Sequence, residues 1–194
     1  FSSRLYKIIF YKNFIYFERV IILMKVLSVN VGSLQKMLRN GKKIQTGIFK
    51  KSTEGPINVK RLGLEGDQQA NKKLHGGIDK AICVYPAEHY EAWRNELRRP
   101  DLSYGDFGEN LTTLGLLENE VCLGDRFRIG SAELIATQPR EPCVTLNVRI
   151  GLIDLSERFR KSGRSGFYFS VVKEGTLSSG DLIKSVSKDE NRVS

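Results

Sequence analysis

Cysteine and histidine are scarce in this chain of 194 residues, which has three of the first and two of the second. Cys83, Cys122 and Cys143 form no CxxC pair, which argues against a zinc ribbon or a cysteine-ligated iron–sulfur cluster. Three thiols are too few for a disulfide-built secreted scaffold. His75 and His89 alone cannot make a multi-histidine metal site. GxGxxG, the GxxxxGK phosphate loop and HExxH are all missing, so no standard loop for a nucleotide cofactor is present. No apolar run approaches the roughly 18 residues of a membrane span, and no small-residue cleavage site marks a signal peptide. The chain is therefore expected in the cytoplasm, off the membrane. Acidic residues are the minority, 22 against 31 basic ones, and the net charge is +9. Such a balance favours anionic partners, whether nucleic acid, acidic membrane or phosphorylated ligand, without choosing among them.

What is present divides unevenly. Residues 1–23 hold seven of the 18 aromatic side chains and three of the nine net positive charges. Most of the segment is Phe, Tyr, Ile, Lys and Asn, the types that AT-rich codons encode. Met24 then opens a clean strand pattern. Two readings stand: translated upstream sequence before a natural start at Met24, or an added N-terminal strand or interfacial segment.

From Met24 the chain alternates short β-rich runs with glycine and aspartate. Strands are expected at 25–31, 44–49, 57–62, 81–85, 126–129, 133–137, 167–172 and 182–186. Gly130-Ser131-Ala132 reads as a hairpin connection. Gly-Asp pairs at 66–67, 105–106, 124–125 and 180–181 mark turns. One helix is expected from Pro86 to the arginines before Pro100, with Tyr90, Trp93 and Leu97 on one face. A second is expected after Asp154, which forms a capping box with Glu157, and stops at Gly163. The fold class is mainly β, a barrel with a few short peripheral helices. The polar tail 187–194 is expected to fray.

Three stretches carry chemistry. In the first, Gly63 to Ala81, four glycines in the 15 positions 63–77 allow close backbone approach. It reads either as an anion-lined loop around His75, Gly76 and Gly77 or as a turn-rich surface connection. In the second, Phe107 to Thr113, Asn110 and its neighbours can bond a heterocycle or cap a turn. In the third, Gln138 to Leu146, Cys143 follows a strand, a polar turn and a proline where a helix can start. A helix N-terminus and Arg140 nearby both favour thiolate, the form that binds soft metal centres. Cys143 reads as either a functional thiol or a capped structural one, whereas Cys83 and Cys122 lie in apolar strands and read as inert. His89 reads as an ordinary surface residue.

Taken together, GLEGDQQA, HGGIDKA, FGENLTT, GDRFRIGSAEL and QPREPC, in this order, resemble the YiiM-like branch of the MOSC family. The resemblance runs from Met24 to about Val186, and five ordered motifs make it specific. It implies a mostly β barrel over 24–186 that binds the molybdenum cofactor, a pterin with a dithiolene and a phosphate. It implies reduction of N-hydroxylated compounds, hydroxylaminopurine bases included, by removal of oxygen from N–OH at a molybdenum centre ligated by Cys143. Lys51-Ser52 aligns loosely with a Lys-Ser pair that holds the pterin phosphate in related reductases, although Lys50, Lys51 and Lys60 also read as a solvated basic edge. Arg140, Asn110 and the His75-Gly76-Gly77 loop are further cofactor-binding candidates. YiiM-like proteins often carry a helical segment after the barrel, and no counterpart of it is expected between Val186 and Ser194.

Each turnover needs two electrons, and the chain has no flavin, nicotinamide or iron–sulfur motif. An external reductase or electron-carrier protein is therefore the expected partner. The alternative is a non-catalytic carrier of the cofactor or of a Cys143 persulfide. A nucleic-acid-binding barrel is disfavoured, because the aromatics after residue 23 are not interleaved with Lys and Arg. The sequence leaves the oligomeric state open.

Overall fold

A computed structural model describes the chain apart from residues 1–4, 12–13, 21–22, 40, 72–75, 192 and 194. Among the described residues, strands β1 (Leu5–Tyr11) and β2 (Phe14–Val20) pair with each other and with no other strand. A chain beginning at Met24 is therefore expected to unfold at the same temperature as the full chain. A drop of more than a few degrees in a thermal melt would show that the segment supports the fold.

The remainder is built round one mixed sheet. Its strands are β3 (Lys25–Val31), β6 (Lys51–Ser52), β9 (Ile82–Pro86), β10 (Leu111–Leu114), β11 (Arg126–Ile129), β12 (Ala132–Pro139), β13 (Phe167–Lys173) and β15 (Ile183–Ser187). They lie in the order β15-β11-β12-β13-β9-β10-β3-β6. Only β9 and β10 run parallel, and the crossover a parallel pair needs is supplied by helix α1 (Glu88–Leu97). Helices α2 (Val144–Ile150) and α3 (Leu155–Ser162) fill the connection from β12 to β13. Two smaller sheets stand apart: the hairpin β4 (Gln35–Arg39) with β5 (Lys42–Thr46), and β14 (Gly175–Leu177) with β7 (Ile57–Lys60) and β8 (Gly63–Leu64).

The expectation of a mainly β chain with a few short helices holds. Among the described residues a closed barrel is not found. A Lys25–Leu182 bridge, with Ile183 N–H donating to Met24 O at 2.8 Å and Val26 N–H to Asp181 O at 2.9 Å, links the start of β3 to the segment entering β15.

Two apolar clusters meet at β9. Val26, Val29, Ile82, Val84, Phe127 and Phe169 pack inside the sheet. Tyr85, Tyr90, Trp93, Phe107, Leu146 and Phe159 join the three helices to the other side. Trp93 of α1 stacks on Phe159 of α3 with centroids 4.6 Å apart, and its Nε1 donates to Tyr85 Oη at 2.7 Å. Burying such side chains stabilises by roughly 1.5–3 kcal/mol each, enough to hold α2 and its N-terminus against the sheet.

Several local expectations are corrected. Pro86 ends β9 opposite Thr113 instead of entering the helix, because Ala87 N–H still donates to Thr113 O, 2.7 Å away. Asp154 precedes α3 but makes no side-chain cap. Its carboxylate takes Arg158 Nε at 2.9 Å, and Asn147 Oδ1 of α2 accepts Ser156 N–H at 2.7 Å in its place. The tail does not fray at once: Lys188 Nζ and Asp189 N–H both donate to the buried Asp125 carboxylate. The strand expected at 44–49 ends at Thr46, whose Oγ1 accepts Ile48 N–H at 3.2 Å and turns the chain into a loop.

The four Gly-Asp pairs are one device used four times. Each glycine has a φ between 81° and 92°, and each Asp N–H returns to the carbonyl three residues back. For Asp106, Asp125 and Asp181 the carboxylate also closes the turn, accepting the N–H of Ser103, Cys122 and Ser178. Asp67 alone turns its carboxylate away from its own turn.

Candidate functional site

Asp67 points into a cleft of about 290 Å³ between β9, β13, the α2 N-terminus, the loop after β5 and the loop after β8. Asp67 Oδ1 accepts Gly32 N–H at 2.9 Å and lies 2.5 Å from Lys50 Nζ, and both side chains are almost wholly buried. Asp67 thus fixes Lys50 in the cleft wall.

The cleft brings together Cys143, Arg140 and Asn110 of the sequence candidates. Cys143 stands at the N-cap of α2 in extended backbone, with Leu146 N–H on its carbonyl, and its side chain does not cap the helix. It is half-buried, whereas Cys83 and Cys122 are buried. Arg140 is 8% exposed. Its Nη2 donates to Phe107 O at 2.5 Å and its backbone N–H to Gly166 O at 2.9 Å. Its Nη1 is buried without a hydrogen-bond partner among the described residues. Burial opposes the charge of Arg140, but Cys83, Tyr168, Glu109 and Cys143 around it more than offset this and raise its pKa. Arg140 is a fixed cation beside the Cys143 thiol.

Asn110 lines the cleft, yet its side chain works on the fold. Oδ1 accepts Cys83 N–H at 3.0 Å and Nδ2 donates to Asn30 O at 3.2 Å, tying β9 to β3. Lys51 and Ser52 are placed elsewhere: both are exposed on the edge strand β6 and neither lines the cleft. Lys50, one residue earlier, is the lysine turned inward. Gly76 and Gly77 do not line the cleft either. Gly77 has φ 89° and starts the short turn Ile78–Lys80, which carries Lys80 to the cleft wall. His75 lies outside the described residues. His89 is half-buried and sits 2.8 Å from Glu118.

Sequence reasoning missed Lys50, Asp67 and Tyr168, and took Cys83 for core alone. Tyr168 and Cys83 face each other in the β13–β9 register and both line the cleft. The period of two was the available signal: Ile82, Val84, Phe167 and Phe169 flank them and enter the core cluster. Burial chiefly, then the neighbouring Cys83, raises the Tyr168 pKa, so its hydroxyl stays protonated at neutral pH. Burial likewise raises the Cys83 thiol, although Arg140 pulls it down.

Between the cleft-lining Gly108 and Asn110 stands Glu109, fully buried. Its Oε1 accepts from Tyr90 Oη at 2.6 Å, Gly105 N–H at 2.7 Å and Thr112 Oγ1 at 2.7 Å, while Oε2 has no partner among the described residues. Burial outweighs these donors and raises its pKa. A carboxyl with a raised folded pKa binds more protons folded than unfolded, so its contribution to stability falls as pH rises through that window. Glu109→Gln keeps an oxygen for the three donors and removes the titration. Denaturant melts from pH 4 to 8 are expected to show a smaller decline with pH in Glu109→Gln than in the parent. Identical pH profiles would rule out Glu109 as their source.

Among the described residues, no three His, Cys, Asp or Glu gather to hold a metal ion, and no helix is long and apolar enough to cross a membrane. The fold and cleft define a class: a mainly β protein with a basic cleft built round one half-buried thiol and one buried arginine. The chain belongs to the MOSC domain family, whose model matches residues 71–184. It is YiiM-like within that family. It is 46% identical to the uncharacterized protein YflK of Bacillus subtilis over 87% of this chain and 76% of that one. It is 41% identical to protein YiiM of Escherichia coli over 74% of this chain and 65% of that one. A protein named reductase from Gibberella moniliformis is 35% identical, and this chain spans only 28% of its length. The crystal structure of YiiM from Geobacillus stearothermophilus superposes with a TM-score of 0.73 at 36% identity, covering 88% of this chain and 79% of that one.

Proposed function

We propose that the chain is a molybdenum-cofactor-dependent reductase of N-hydroxylated compounds, hydroxylaminopurine bases among them. The observation that carries this reading is the meeting, in one cleft, of the half-buried Cys143 thiol and a buried Arg140 whose Nη1 has no hydrogen-bond partner among the described residues. A pterin dithiolene with a phosphate is anionic, and it leaves its metal a place for one further soft ligand. The residues present fit that group. Cys143 would ligate the metal, and Arg140, Lys80 and Lys50 would face its anionic parts. When bound, molybdenum supplies the two-electron chemistry that takes oxygen from N–OH.

The chain's own residues do the rest. Asp67 holds Lys50 in place, and the β12–β13 scaffold holds Arg140 through Gly166. Tyr168, kept protonated, offers a hydroxyl to a substrate in the cleft. Two electrons and two protons convert N–OH to N–H and water, and an external electron-carrier protein delivers the electrons. The family barrel belongs to the same proposal, with the Lys25–Leu182 bridge as the contact at which the sheet ends would close.

The test is to purify the protein from a host that makes the cofactor. Molybdenum and pterin are expected at one per chain, together with reduction of N-hydroxyadenine by reduced methyl viologen. A loaded protein inert towards N–OH, or a Cys143 persulfide without metal, would establish a carrier instead.

A further inference from the structure

The cleft is electrically one-sided. Arg39, Lys50, Lys80 and Arg140 line it against Asp67 and Glu141. Both carboxylates are already engaged: Asp67 lies 2.5 Å from Lys50 Nζ, and Glu141 lies 2.7 Å from Arg160 Nη2 on the outside. Among the described residues, neither Arg39 nor Arg140 has a carboxylate within ion-pair distance.

Arg39 is at the tip of the β4–β5 hairpin, whose strands pair only with each other. In that ladder Arg39 stands directly opposite Lys42, Met37 opposite Ile44, and Gln35 opposite Thr46. Directly opposed residues share a face of the ladder, and alternate pairs lie on the same side. Arg39, Ile44 and Thr46 line the cleft, as does Gln45 from the other face; Lys42 does not line it, but stands directly opposite Arg39 on the face that carries Ile44 and Thr46. Like charges directly opposite each other destabilise an antiparallel pair. Neither residue has an acidic partner among the described residues to relieve that repulsion, and neither strand carries an acid. A repulsive pair kept at the mouth of a cleft is what an anion with two or more charged oxygens neutralises.

We propose that Arg39 and Lys42 form a recognition site for a phosphomonoester at the mouth of the cleft, separate from Arg140 beside Cys143. The site rests on the function proposed above, under which two groups bring this chemistry to the cleft. One is the cofactor's own phosphate. The other is a 5′-phosphate on an N-hydroxylated nucleoside, which would extend the substrates from bases to nucleotides.

The experiment compares the parent protein, from a cofactor-making host, with an Arg39→Gln/Lys42→Gln double variant. Lys43→Gln, on the other face of the hairpin, is the control. Thermal melts of the double variant without ligand are expected to match the parent or rise slightly, since a repulsion is removed. Two readouts then separate the sources. If the phosphate is the substrate's, adenosine 5′-monophosphate raises the parent's melting temperature more than adenosine does, and the double variant loses that difference. If it is the cofactor's, the double variant retains severalfold less molybdenum and pterin per chain, while Lys43→Gln retains the parental amount. A double variant that keeps both its cofactor content and the parent's response to adenosine 5′-monophosphate overturns the site. Failure of the loaded parent to reduce N-hydroxyadenine would overturn the proposed function alone, because neither readout depends on turnover.

Discussion

A Cys143→Ser variant is expected to fold as the parent does and to lose N–OH reduction. Cys143 is half-buried at the start of α2 and its side chain caps nothing in the helix, so replacing sulfur by oxygen opens little cavity. Serine is a harder, far less acidic ligand than a thiolate. The expected loss in turnover is at least the roughly 10–100-fold that removing an outer partner costs a metal site. Cys122→Ser and Cys83→Ser are expected to act first on stability, since each buries a hydroxyl, Cys83 in β9 and Cys122 not in the expected strand but in the loop that Asp125 closes, at a cost of about 1–3 kcal/mol. The comparison is activity per folded molecule across the three variants, with molybdenum content measured alongside. Parental activity in Cys143→Ser on that scale would remove the metal-ligand assignment and the mechanism built on it.

Gly166→Ala is expected to be among the most destabilising single-methyl changes in the chain, with a loss of about 2–4 kcal/mol. Gly166 has φ 79°, and a Cβ there would lie 2.3 Å from Val84 O and 3.0 Å from Tyr85 Cδ2. The first contact is with strand backbone, which cannot move aside without disturbing β9. Gly166 also joins two polar contacts across the fold: its N–H donates to Glu118 Oε1 at 2.8 Å, and its carbonyl accepts Arg140 N–H at 2.9 Å. Displacing it displaces Arg140, so cofactor retention is expected to fall together with stability. Urea melts measure the first effect and molybdenum analysis the second. A variant within about 0.5 kcal/mol of the parent would show that β9 and the Gly166 turn can separate at little cost.

Much of the local structure was legible residue by residue. Strands 25–31 and 126–129 have the bounds that their patterns imply. Gly130-Ser131 forms the two-residue hairpin loop, and Gly163 ends α3 in the left-handed region. These features depend on a few adjacent residues: alternation decides a strand, and a positive φ at glycine decides a turn. The Cys143 region was legible for the same reason, because strand, polar turn and helix start follow one another along the chain.

What only the tertiary structure decided is where side chains from distant segments point. Lys50 and Lys51 are alike in sequence and face opposite ways, and the loop that begins at Thr46 chooses the one turned inward. Asp67 shares its turn type with three other Gly-Asp pairs, and its carboxylate leaves that turn because Gly32 and Lys50, from loops elsewhere in the chain, supply donors. Asn110 has the chemistry to hold a heterocycle and spends it tying β9 to β3. Cys83 looks like core from its neighbours, but its register with Tyr168 gives it a wall of the cleft. Residue types and local spacing marked Cys143, Arg140 and the loop from Gly63 to Ala81 as candidates and left a structural reading of the thiol and the loop open. Pairing between strands far apart in sequence decided which cations, which carboxylate and which hydroxyl join them, because no local preference encodes the partner across a sheet.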